Sequence, residues 1–124
     1  MTMMQTAEAF FEACETGKGW QGCAPYCHES ASFAARAEAL NDIHTLSGYC
    51  DWMRDVYDHY TGLYYDIKGF AVDPERLVVL AYGVFHGYTK DDDPQELTED
   101  YVYAMHFTDG RISHMTKIWN DKFV

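Results

Sequence analysis

Residues 99–121 read EDYVYAMHFTDGRISHMTKIWND and hold the strongest short-range signal in the chain. Asp109-Gly110 sits between two alternating runs, which marks a two-residue hairpin turn, because both central positions of that turn need positive φ. Such a turn fixes register. Thr108 then faces Arg111, Phe107 faces Ile112, Met105 faces His114, Tyr103 faces Thr116 and Tyr101 faces Ile118. Side chains alternate along a strand, so one face carries Tyr101, Tyr103, Met105, Phe107, Ile112, His114, Thr116, Ile118 and Asn120. The other carries Asp100, Val102, Ala104, His106, Ser113, Met115, Lys117, Trp119 and Asp121. The first is richer in large apolar side chains and is assigned to the interior. The second, with charge beside Met115 and Trp119, fits a sheet surface that meets another subunit or is half solvated.

The preceding segments extend the sheet. Residues 77–89 form a long strand, residues 64–72 another, and Asp73-Pro74-Glu75-Arg76 is the turn between them. On the long strand Val79, Ala81, Gly83, Phe85 and Gly87 share one face. If that face is inward, side-chain volume is missing mid-strand beside Tyr101 and Tyr103, and a cavity is expected between sheet and helices. The N-terminal half is helical. Ala7, Phe10, Phe11 and Cys14 fall at i, i+3, i+4 and i+7, with Thr6 as a cap and Gly17 and Gly19 as the stop. A short segment follows from Trp20 to about Tyr26, then a short strand over 30–35. A third helix, capped by Asn41 or Thr45, carries Leu46, Tyr49, Cys50, Met53, Val56, Tyr57 and Tyr60 before Gly62. Helices first and hairpins after give one α+β domain over 1–124, an antiparallel sheet with helices on one face.

Composition narrows the function. The 124 residues include 20 acids and nine Lys and Arg, a formal net charge of −11. Nucleic acid and anionic membranes reward clustered basic residues, and no such cluster exists, so neither is expected as a partner. The first residues lack a basic region and carry Glu8, unlike a secretory signal, which makes the cytoplasm the expected compartment. Cys14, Cys23, Cys27 and Cys50 then read as reduced core thiols. Cys14 and Cys50 have no paired-ligand spacing, so neither a metal nor a cofactor is expected. Asp91, Asp92 and Asp93 lack calcium-loop spacing and read as a solvated turn.

The segments AEAFFEACETGKGW, HESASFAA and YVYAMHFTDGRISHMTKIWND together resemble the nuclear transport factor 2-like superfamily, and within it the SnoaL-like polyketide cyclase branch. The resemblance spans nearly the whole chain. It implies a cone-shaped, curved antiparallel sheet wrapped over about three N-terminal helices, a cystatin-like fold with an internal pocket and frequent dimerisation through the outer sheet face. The ketosteroid isomerase pattern of that superfamily is not matched, since the first helix offers Phe10, Phe11 and Cys14 where a Tyr is needed. The cyclase pattern implies an acid/base Asp near a His, for which Asp121 with His106 or His114 is the nearest match. Strict alternation sends Asp121 outward and Asn120 inward, so only a bulge between His114 and Asp121 brings the carboxylate in.

His114 is therefore the first candidate for a catalytic base, with Asp121 the second. An imidazole titrates near neutral pH and can move a proton α to a carbonyl. Tyr101 and Tyr103 could set its tautomer or donate to an enolate oxygen, with Thr116 beside them. Trp20, Trp52, Tyr49 and Phe33 are candidates for an aromatic wall around a small apolar or aromatic ligand. The expected function is a homodimeric small-molecule-pocket protein, read as a cofactor-independent cyclase or isomerase acting by proton transfer on an apolar carbonyl compound. The alternative is a non-catalytic binding or sensing module with the same pocket.

Overall fold

A computed structural model describes residues 1–120 of the chain. The first helix, α1 (Met3–Glu15), starts one turn earlier than Thr6. Thr2 is its cap: the Gln5 N–H donates to the Thr2 hydroxyl at 3.1 Å, and the Thr2 N–H donates to the Gln5 side chain at 2.9 Å. This reciprocal pair satisfies two amides that a helix start leaves bare. The expected stripe is buried, with Phe10 and Phe11 at the centre, each contributing about 1.5–3 kcal/mol by leaving water. Glu15 continues the same face and is 1% exposed.

Gly17, with φ +76°, ends α1 in the left-handed region, where glycine carries no Cβ penalty. The next helical segment divides into α2 (Gly19–Cys23) and a 3₁₀ turn, Ala24–Tyr26, because Pro25 cannot donate to a continuing helix. The first strand, β1 (Cys27–Ala35), is longer than the expected 30–35. Thr45 caps α3 (Leu46–His59), accepting from the Gly48 N–H at 3.1 Å. Tyr60 opens β2 (Tyr60–Asp73) instead of closing the helix. Asp73 then accepts from the Glu75 and Arg76 amides at 3.1 and 3.0 Å, which builds the expected turn into β3 (Val78–Thr89). β4 (Glu96–Thr108) and β5 (Arg111–Trp119) are the hairpin about Asp109-Gly110, whose φ values of 51° and 81° suit the turn.

The five strands lie in the order β1-β5-β4-β3-β2, a curved, unclosed α+β sheet with the helices on its inner face. It is not wholly antiparallel: β1 pairs with β5 in parallel. The expected inward face of β4 is confirmed, with Tyr101, Tyr103, Met105 and Phe107 all buried. So is that of β3, where Val79 and Ala81 are fully buried.

The expected face of β5 is corrected. Thr108 and Arg111 pair as foreseen, and so do Phe107 and Ile112, but His106 then pairs with His114, which leaves Ser113 as an extra residue. The Ser113 hydroxyl donates to the His106 carbonyl at 3.3 Å and bonds the Thr108 hydroxyl at 2.9 Å. A one-residue bulge inverts every later side chain. Met115, Lys117 and Trp119 therefore share the inner face with β4's odd residues, while His114, Thr116 and Ile118 lie with His106 on the outside. The physical cause is the pattern itself. Ile112 and Met115 are three apart, and only an extra residue lets both be buried, as both are.

Candidate functional site

Between α3 and the far ends of β2–β5 lies a cavity of about 140 Å³. Its wall is mostly apolar, formed by Trp52, Met53 and Val56 of α3 with Leu63, Phe85, Leu97 and Trp119 of the sheet. Beside the half-buried Tyr60, four buried groups that can carry charge or donate a proton also reach it: Glu15, Glu99, Tyr101 and Lys117. All four are nearly closed to solvent, between 1% and 6% exposed.

Two of these groups, Lys117 and Glu15, are joined by a relay of hydrogen bonds. The Lys117 ammonium donates to the Tyr49 hydroxyl at 3.0 Å, Tyr49 and Tyr103 share a short hydroxyl–hydroxyl bond, and the Tyr103 hydroxyl donates to Glu15 Oε2 at 2.6 Å. A cation and a carboxylate are thus linked through two phenols inside the core, where an unpaired charge is costly. Aromatic rings surround the cation. The Trp119 ring centroid is 4.2 Å from Lys117 Nζ, and those of Tyr49, Trp52 and Tyr101 are 5.1–5.5 Å away, so ring quadrupoles replace part of the lost hydration. The Trp119 indole N–H donates to Glu99 Oε2 at 2.9 Å.

Burial pushes the Glu15 carboxyl above its ordinary value, and the Lys117 charge and the Tyr101 and Tyr103 hydroxyls pull it part of the way back. Burial first, and the Glu15 charge second, push the Tyr49, Tyr101 and Tyr103 phenols up, so they stay protonated. The Tyr101 hydroxyl is also buried beside the Glu15 carboxyl, and Tyr101 belongs to the cavity wall.

The structure keeps part of the expected site together. Tyr101 and Trp52 line the cavity. Tyr103 and Tyr49 lie just behind it in the relay, and Phe33 stacks on Tyr49 at 4.5 Å between centroids, in the core. Trp20 is away from the cavity, and its backbone N–H donates to Asp51 Oδ1 at 2.9 Å. His114 and Thr116 are on the outer face, bonded to each other at 2.9 Å, with His114 Nδ1 also bonding Ser32 Oγ at 2.7 Å. The sequence-based placement of His114 beside Tyr103 is therefore corrected: the bulge at Ser113 puts the sheet between them. Partial burial and the neighbouring His106 hold the His114 imidazole below its ordinary value. Asp121 lies outside the described residues. Asn120 closes the strand end, its side-chain carbonyl accepting from the Asp100 N–H at 2.8 Å.

Glu15, Glu99 and Lys117 were missed. Glu15 stands eight residues after Ala7 and four after Phe11, so the helical stripe already carried an acid inward. Glu99 precedes Tyr101 by two on one strand face. Lys117 was hidden by the bulge.

Helices packed inside a bent, open sheet, with a small apolar cavity entered by a few buried polar groups, define the class of open-cone α+β domains. The SnoaL-like domain family matches residues 7–115, and the chain belongs to it. No curated protein matches. Solved structures share the fold at low identity. A cystatin-fold protein from Novosphingobium aromaticivorans is 18% identical over 95% of this chain and 98% of its own, with a TM-score of 0.74. A candidate SnoaL-like polyketide cyclase from Shewanella putrefaciens is 12% identical over 97% and 91%, at 0.72. An LEH-like epoxide hydrolase from M. tuberculosis is 14% identical over 95% and 82%, at 0.70. Among the described residues no helix is long and apolar enough to cross a membrane.

Proposed function

We propose that the protein binds a small, mostly apolar carbonyl compound in the cavity under Trp52 and Trp119 and moves a proton on it without a cofactor. The observation that carries this reading is the meeting of three buried side chains, the Tyr101 phenol, the Glu15 carboxyl and the Lys117 amine, in the wall of one mostly apolar cavity. The ligand oxygen accepts from Tyr101. A carboxylate whose proton affinity burial has raised takes the proton from the adjacent carbon, and Glu15 is that group. The charge that develops on the oxygen is met by the phenol and the Lys117 ammonium, donors held in place by the packed core. Return of the proton to another carbon gives isomerisation, and attack by the enolate carbon on a second carbonyl gives ring closure.

Size selects the ligand. A cavity of about 150 Å³ holds benzene, so the observed 140 Å³ fits a single ring or a short branched chain.

The outer sheet face is proposed to pair with a second copy of the chain. Leu80, Tyr82 and Ile118 are 45%, 44% and 54% exposed there, and contiguous exposed apolar surface marks association sites. A monomer by light scattering at micromolar concentration overturns the dimer.

Monocyclic ketones and enones are the test ligands. Thermal shift reads binding, and proton NMR in D₂O reads deuterium incorporation α to the carbonyl. Wild-type protein is expected to do both. Tyr101→Phe should slow exchange by about 10²–10³-fold, as losing one oxyanion donor does, and Glu15→Gln by about 10²–10⁴-fold. Binding without exchange supports the alternative, a ligand-sensing module. No binding of any member overturns the pocket reading.

A further inference from the structure

No spacing in the sequence joins Cys14 of α1, Cys23 of α2 and Cys50 of α3. The fold brings their sulfurs within 4.8 Å of one another, and all three are fully buried. We propose that Cys14, Cys23 and Cys50 form a three-coordinate thiolate site for a soft monovalent cation, copper(I).

Geometry is the first support. An ion at the centre of a triangle with sides of 4.8 Å is about 2.8 Å from each sulfur, against about 2.3 Å for a metal–thiolate bond. Each sulfur needs to move inward by about 0.5 Å at most, a small χ1 adjustment. Charge is the second. The ionisable neighbours beside them are carboxylates, Glu15 at Cys14 and Asp51 near Cys23. Acids next to the three sulfurs favour a cation at their centre.

Ligand number selects the ion. Structural zinc takes four ligands almost without exception. The fourth thiol, Cys27, points instead to the Cys23 carbonyl at 3.4 Å and is not part of the converging group. Three soft donors in a dry setting suit copper(I), which thiolates select. Binding releases the thiol protons it displaces and involves no change of oxidation state.

Reduced full-length protein is titrated anaerobically with copper(I), supplied as its acetonitrile complex, against a copper(I)-specific chelator. Thiolate-to-copper charge-transfer absorption follows occupancy, and X-ray absorption counts sulfur neighbours. One retained equivalent per chain with three sulfurs is expected, unchanged in Cys27→Ser. Cys14→Ser, Cys23→Ser and Cys50→Ser should each drop retention from one equivalent to near none. No retention by the wild-type chain, full retention in any of those three variants, or a shell of two or four sulfurs overturns the proposal. So does zinc(II) held by four sulfurs in a Cys27-dependent way. Where a serine variant does not fold, the sulfur count in the wild-type and Cys27→Ser chains still decides.

Discussion

The two ends of the sheet's inner face are built from the same kinds of residue and come out differently. Around Ala81 and Gly83 the interior is solid. Phe11 of α1 packs there against Tyr65, Phe70, Tyr101 and Tyr103, with ring centroids 5.4–6.1 Å apart, and the Tyr101 ring covers Gly83. Toward Phe85, Leu97 and Trp119 the same face borders the cavity. Small residues on a strand therefore do not by themselves make a void. The missing volume at Gly83 is filled by a neighbouring strand's aromatic ring, and the cavity opens where α3 stands off from the strand ends.

Lys117→Met gives the largest effect expected on that contrast. It strands Glu15 and its phenol relay without a cation, and breaking a buried charge pair costs about 3–5 kcal/mol. Urea unfolding at pH 7 measures the loss, which should shrink at lower pH as Glu15 takes up a proton. An undiminished midpoint denies the relay its part in holding the cavity wall.

A pair of glycines tests the ends directly. A Cβ on Gly83 would stand 2.8 Å from the Tyr101 hydroxyl oxygen and 3.3 Å from Phe11, so Gly83→Ala overpacks a filled region at about 1–3 kcal/mol. On Gly87 the new methyl meets first the tip of Leu63, which lines the cavity and has room to turn. Gly87→Ala should therefore cost less than about 1 kcal/mol, helped by a stiffer unfolded chain. Equal losses by thermal unfolding contradict the comparison.

The smallest effect is a slope. Glu15 holds its proton to higher pH in the folded state than its ordinary value of 4.5. The native state thus binds more protons over that interval, and stability falls as pH rises from 4.5 through the raised value. Glu15→Gln should flatten this dependence. A slope unchanged in the variant places its source elsewhere.

Much of the architecture was legible. Thr45 as cap, the apolar stripes of α1 and α3, the turn at Asp73 and the hairpin at Asp109-Gly110 depend on neighbours in the chain, and local chemistry specifies them. The site was legible only where a strand kept its register. Tyr101 and Tyr103 on β4 were placed correctly because nothing interrupts their alternation. His114 and Lys117 exchanged faces because one bulged residue, Ser113, came between the turn and them.

Local sequence thus determined the elements, their order and the inward side of β3 and β4, since caps, turns and periodicity act over a few residues. Only the tertiary structure decided that Lys117 points inward, that four polar groups from α1, β4 and β5 reach one cavity, and that thiols from three helices converge. Those outcomes depend on packing between segments far apart in the chain, where burying Ile112 and Met115 together outweighed strict alternation.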